Sequence, residues 1–136
     1  MRAIWLAGFA MLLLAMPAVA QDVVVTPVLN TDVTSSGQKI ELPQKDPALV
    51  VSTYDIPAGA ALPVHEHPFP RYAYVLEGTI RVDNTEIGKS QTFTKGEFIV
   101  EAVSQWHKGT NVGDGPVKLL VIDMIEKGEK NVVLQP

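Results

Sequence analysis

The sequence predicts an all-β domain of the sandwich or barrel kind, and three observations carry that prediction. Runs of β-branched and aromatic residues recur at short intervals, turn residues bound each run, and no segment sustains a 3.6-residue apolar period. A chain of 136 residues, 46% of them apolar, suits one domain with a core that needs no covalent staple. There is no cysteine. Disulfides, thiolate metal sites and Cys nucleophiles are therefore excluded, and any metal must be held by imidazole or oxygen. A net charge of −4 with no cluster of Lys and Arg sets aside nucleic acid and anionic membrane surfaces as partners.

Along the chain, residues 1–20 read as a secretory signal peptide. Arg2 precedes an apolar run from Ile4 to Met16, and Ala18 and Ala20 form an A-x-A cleavage site. That run falls short of the roughly 20 residues a spanning helix needs, so the mature protein is expected in the periplasm or secreted, free of the membrane. Residues 21–47 are polar and interrupted by Pro27, Pro43 and Pro47, with a Thr34-Ser35-Ser36-Gly37 turn cluster, which predicts an N-terminal arm with one or two edge strands. Residues 48–127 carry the strand candidates: Ala48 to Ile56, Tyr72 to Leu76, Thr79 to Val82, Ser90 to Phe93, Phe98 to Ala102 and Val117 to Ile125. Pro57-Ala58-Gly59, Asp83-Asn84, Lys95-Gly96 and the run Asn111 to Pro116 supply the turns between them. Residues 128–136 read as a C-terminal tail.

All three histidines fall in two short segments, Val64-His65-Glu66-His67-Pro68 and Trp106-His107-Lys108. On a strand, residues i and i+2 share a face, so a His-x-His pair points two imidazoles into one space with Cα atoms about 7 Å apart. Such a pair can chelate one ion, and a third imidazole from another strand would leave positions open for water, dioxygen or substrate. The alternative is that the histidines are surface or packed residues without a metal. Trp106, Phe69 and Phe98 are expected to pack as wall or core aromatics. No glycine run cradles a phosphate, and a Ser-His-Asp triad has no histidine left to use.

The spacing around the histidines resembles the cupin superfamily. Gly59 precedes His65 by five intervening residues, one residue separates His65 from His67, and Gly78 follows eleven positions on, at the end of Tyr74-Val75-Leu76-Glu77-Gly78. The second motif is similar: ten residues separate Gly96 from His107 and three separate His107 from Asn111, with Ala102 where a proline is usual and Ser104 where a glycine is usual. The resemblance spans about residues 48–125. It implies a double-stranded β-helix, the jelly-roll form of β barrel, often homodimeric. It also implies His65, His67 and His107 as ligands of a divalent transition metal: iron, nickel, copper, zinc or manganese.

One departure matters. The family's usual fourth ligand stands four residues after the second His, and here that position is Arg71, which has no lone pair to give a metal. Strand parity places Arg71 on the face of His67, unless a bulge at Pro68 and Pro70 hands that face to Tyr72. A guanidinium buried beside a dication needs an anion between them. Arg71, with Tyr72 beside it, is therefore a candidate substrate-binding residue for a small carboxylate or enolate. Other readings stand beside that one: Arg71 paired with Glu101 or Glu97 or bent out to solvent, and Glu101 moved in as a replacement ligand. No residue is singled out as catalytic. The implied function is a metal-dependent reaction on a small organic anion, dioxygenase-like or isomerase/lyase-like. The alternative is a cupin module that binds a small molecule or a metal without turnover.

Overall fold

Val117, Leu119, Val121, Asp123 and Ile125 alternate with more exposed neighbours, so one face of their strand is committed to the interior before any partner is considered. In the computed structural model, which describes residues 22–136, that segment is the central strand β8 (Val117–Glu126). It pairs antiparallel with β1 (Pro47–Ile56) on one side and β3 (Arg71–Glu77) on the other, and β6 (Phe98–Val100) completes a four-stranded sheet in the order β1-β8-β3-β6. A second, five-stranded sheet runs β5-β4-β7-β2-β9, made of β5 (Lys89–Thr94), β4 (Thr79–Asn84), β7 (His107–Asn111), β2 (His65–Glu66) and β9 (Val133–Leu134). The described residues contain no helix. The two antiparallel sheets form the expected jelly roll.

The core lies between the sheets. Ile56, Ala73, Val75, Ile99, Val117, Leu119 and Val121 from the first sheet meet Ile80 from the second, all with relative exposure of 4% or less. Burial of these side chains, at about 1.5–3 kcal/mol for each of the larger ones, is what holds the sheets together. The six strand candidates correspond to β1, β3, β4, β5, β6 and β8. Three further strands lie outside those six runs. β2 and β9 are two residues each, and β7 is rich in polar residues because its buried face carries His107, Gly109 and Asn111 instead of aliphatics.

One turn differs from expectation. The turn placed at Asp83-Asn84 lies two residues later, at Thr85 to Gly88, because Asn84 ends β4 and its side-chain oxygen accepts the backbone N–H groups of Glu86 and Ile87. Within the C-terminal tail, residues 128–136, β9 pairs with β2, His65 opposite Leu134 and Glu66 opposite Val133. Of the arm, the Thr34 to Gln38 turn is anchored on the barrel, with Ser35 N–H donating to Val100 O and Gln38 exchanging two bonds with the Val103 backbone. The expected signal peptide, residues 1–20, lies outside the described residues.

Gly78 joins β3 to β4 at φ +82°, and a Cβ there would stand 2.5 Å from Pro116 O and 2.9 Å from Val117 Cγ2. Gly88, at φ +63°, has open space around it. Gly88→Ala is therefore expected to cost about 1 kcal/mol from the left-handed backbone alone. Gly78→Ala should cost about 3 kcal/mol or more because backbone overlap is added to the same strain. Urea unfolding midpoints of the two variants, compared with the parent chain, check that order.

Candidate metal centre

Pro63 and Pro68 flank β2 and hold it to two residues, which leaves His65 inside the ladder and His67 just beyond it. His65 lies directly opposite His107 of β7 across the ladder. The three imidazoles converge, with ring centroids 4.6 to 4.8 Å apart in every pair and ligand nitrogens all within 4.8 Å of one another. Each Nδ1 lies against a backbone carbonyl: His65 on Pro63 O at 2.7 Å, His67 on Asn131 O at 2.6 Å, and His107 on Gln105 O at 2.7 Å. A carbonyl can only accept, so each Nδ1 carries the proton and each Nε2 keeps its lone pair.

Nothing satisfies those lone pairs from within. Nε2 of His67 and Nε2 of His107 are buried without a hydrogen-bond partner. Burial lowers the pKa of all three rings, that of His67 to about 2 with the nearby Arg71 charge as the next cause. Neutral imidazoles with fixed tautomers and orphaned, convergent lone pairs are the donor set that a divalent transition metal takes. The three histidines singled out by the sequence form one group that could hold such an ion.

Arg71 faces inward, as strand parity requires, and is 7% exposed. Its partner is neither Glu101 nor Glu97. Nε donates to Asp123 Oδ1 at 2.7 Å and Nη2 to Asp123 Oδ2 at 2.9 Å, because Arg71 and Asp123 are direct register partners of β3 and β8. The guanidinium also lies over the Tyr54 ring, 5.6 Å from its centroid. Glu97 is engaged at its own turn by Thr94. Tyr72, expected beside Arg71 in substrate binding, stands on the outer face of the sheet and stacks on Phe98 with centroids 6.2 Å apart. No bulge at Pro68 or Pro70 reverses the parity, so Tyr72 is kept out of the histidine pocket.

Asp123 and Asn131 were not anticipated. Asn131 donates from Nδ2 to Asp123 Oδ1 at 2.6 Å, accepts Phe69 N–H at Oδ1, and presents its own carbonyl to His67. A continuous path thus runs from Arg71 through Asp123 and Asn131 to a candidate ligand. Asp123 was detectable as the one acid at an inward position of the Val117 to Ile125 alternation; Asn131 left no such mark. Asn111, part of the second motif, fastens the structure instead: its Nδ2 donates to the carbonyls of Ile56, Pro57 and Gly115. Ser104, standing where glycine is usual, adopts φ +50° and donates its N–H to His67 O.

Glu101, just past β6, turns toward the histidines. Its Oε2 is buried without a partner, 3.5 Å from His107 Nε2, and burial pushes its carboxyl above the ordinary carboxylate range. The space enclosed by His65, Arg71, Glu101, His107, Leu62 and Leu119 is about 20 Å³. That volume suits a water molecule and not an organic substrate.

A double-stranded β-helix with three inward imidazoles defines a class of small barrel proteins, and the sequence agrees. The profile of the Cupin domain family matches residues 52–123, more than half of the chain, and the protein belongs to that family. Among solved structures it is similar to the polyketide cyclase RemF from Streptomyces resistomycificus, at 21% identity over 71% of this chain and 70% of that one, with a TM-score of 0.53. It is also similar to an uncharacterized conserved protein with a double-stranded β-helix domain from Klebsiella pneumoniae, at 16% identity over 71% and 90%, TM-score 0.55. A third likeness, to the DMSP lyase DddQ from Ruegeria pomeroyi, has 20% identity over 76% of this chain and only 48% of that one, TM-score 0.56. Identities this low show the shared fold. No curated protein matches the chain.

Two outcomes follow for the metal-free protein. Folded His67 stays neutral down to about pH 2, whereas its unfolded imidazole takes up a proton near 6.5. The unfolded chain binds more protons below pH 6.5, so stability falls as pH drops, by about 1.4 kcal/mol per unit for His67 alone. His65 and His107 act in the same direction, while Glu101, shifted upward, offsets at most one of them. The urea midpoint of metal-stripped protein should decline steadily from pH 7 to pH 5; a flat profile would contradict buried neutral rings. Separately, Asp123→Ala strands a buried guanidinium and is expected to cost about 3–5 kcal/mol, whereas the double variant Arg71→Met with Asp123→Leu should recover most of that loss. Thermal and urea unfolding of the single and the double variant measure the difference.

Proposed function

We propose that the protein is an exported cupin that holds one divalent transition metal on His65, His67 and His107 and acts with it on a small oxygen-bearing organic molecule. The observation that carries this reading is the set of three Nε2 lone pairs, convergent and, at His67 and His107, buried without partners. A bound ion would supply Lewis acidity toward a substrate oxygen or, if redox-active, a route for electrons to dioxygen. The chain's residues supply the rest: three carbonyls hold the rings in their ligating tautomer, and apolar walls from Leu62, Ile80, Leu119 and Val121 exclude bulk water.

Arg71 takes a different part from the anion clamp expected of it. Its fork is engaged by Asp123, so a carboxylate substrate would meet a charge already largely offset. Recognition then falls mainly to the metal position, and lyase-like or oxygen-dependent chemistry on a compact substrate fits better than a bidentate carboxylate clamp. The likeness in fold to a polyketide cyclase and a DMSP lyase supports an enzymatic reading. The space of about 20 Å³ favours the second reading, a metal-binding module without turnover, because it must widen before any organic molecule enters. Export through the segment 1–20 and a homodimer covering the outward Tyr72, Tyr74 and Phe98 belong to the same proposal.

Elemental analysis of the untagged mature protein is expected to give about one transition metal per chain. His67→Ala and His107→Ala should each weaken Zn²⁺ binding by about 100-fold or more in a chelator competition. A wild-type chain that retains no metal and binds none on titration would refute the metal centre. With the centre established, loss of substrate turnover in folded His107→Ala separates the enzyme from the module, which has no turnover to lose.

A further inference from the structure

Glu101 is a buried acid at the centre to which no surrounding group donates a hydrogen bond at Oε2. Its backbone is fixed at the end of β6 by the N–H donated to Arg71 O at 2.9 Å, and its side chain is 12% exposed. Oε2 has no hydrogen-bond partner. The nearby Arg71 charge favours ionised Glu101, but the guanidinium donates to Asp123 and makes no hydrogen bond to Glu101. What Oε2 does face is Nε2 of His107 at 3.5 Å, and that nitrogen is also without a partner. His107 Nδ1 gives its proton to Gln105 O, so the two atoms meet lone pair to lone pair. Two acceptors buried at that distance with no donor between them repel each other unless a positive charge lies between them.

The separation also has the right size. Ligand atoms about 2.0–2.2 Å from one small dication stand roughly 3.0–3.5 Å apart when adjacent. We infer that Glu101 is the fourth protein ligand of the centre, a carboxylate delivered from the end of β6. The inference rests on the three-histidine metal reading and deepens it: the donor set becomes three imidazoles and one carboxylate. Arg71 and Asp123 form a closed neutral pair, so the ligating carboxylate brings the site to a net charge of one with a dication bound.

Cobalt titration tests this without any assay of activity. Co²⁺ is added to the metal-stripped wild-type chain and to Glu101→Gln, with affinity read by chelator competition and coordination by the visible absorption of the bound ion. Glu101→Gln should bind one Co²⁺ per chain about 10- to 100-fold more weakly, with an altered band, and its metal-free urea midpoint should not fall. Glu101→His, which offers a replacement lone pair, should recover affinity and guards against a folding defect in the first variant. Equal affinity and an unchanged spectrum in Glu101→Gln would overturn the inference while leaving the three-histidine centre in place. Failure of the wild-type chain to bind Co²⁺ would overturn both.

Discussion

Three backbone carbonyls, those of Pro63, Gln105 and Asn131, govern how the centre presents itself. Each takes the Nδ1 proton of one imidazole, and the three come from the loop before β2, the loop before β7 and the segment before β9. Since an imidazole has only two nitrogens, occupying one decides the chemistry of the other. The rings would otherwise be free to turn a donor inward, and a donor cannot ligate. This dependence explains why two-residue strands matter here. β9 contributes almost nothing to core burial, yet its pairing with β2 holds the chain just before it beside the histidines, with the Asn131 carbonyl on His67.

Around that constraint the charges are arranged so that few remain uncompensated. A buried guanidinium and a buried carboxylate at register-paired positions cancel in a bidentate contact, and Asn131 takes up a remaining lone pair of Asp123. Such a pair contributes little net stability compared with aliphatic side chains of the same volume. Its effect is on geometry. Asp123 holds Asn131, and Asn131 holds both the Phe69 backbone and the His67 ring, so the carbonyl that orients His67 is itself anchored on β8 and on the chain at Phe69.

The parts of this arrangement that were legible in the sequence are those with a period. Alternation located β1, β3, β4, β5, β6 and β8, and the i, i+2 relation brought His65 and His67 to one pocket. The same parity put Arg71 inward, and applied to β8 it would have marked Asp123, an acid in a row of aliphatics, as Arg71's partner. β7 escaped because its inward positions are His107, Gly109 and Asn111, which read as a turn-rich loop when taken without their neighbours. Joining His107 to the pair forty residues earlier needed the resemblance to a family, since no local period connects them. Asn131 acts mainly through a backbone carbonyl, and a carbonyl is present at every residue, so composition cannot point to it.

The wall of the site is uneven in what it would cost to move. β8 carries a hydrogen-bonded ladder on each side and the buried face of the core, so displacing it means unfolding the domain. The Thr34 to Gln38 turn is different. A second small space, about 10 Å³, connects Glu101 and His107 to Ser35 and Ser36, which places that turn over one side of the centre. It is tied to the barrel by Ser35 N–H on Val100 O, the two bonds between Gln38 and Val103, and Lys89 Nζ on Ser35 O. At about 0.5–1.5 kcal/mol for each such bond, releasing it costs a few kcal/mol, well below the cost of opening either sheet. Of these two walls, the Thr34 to Gln38 turn is the one that costs less to displace, and β8 is the one that holds the core.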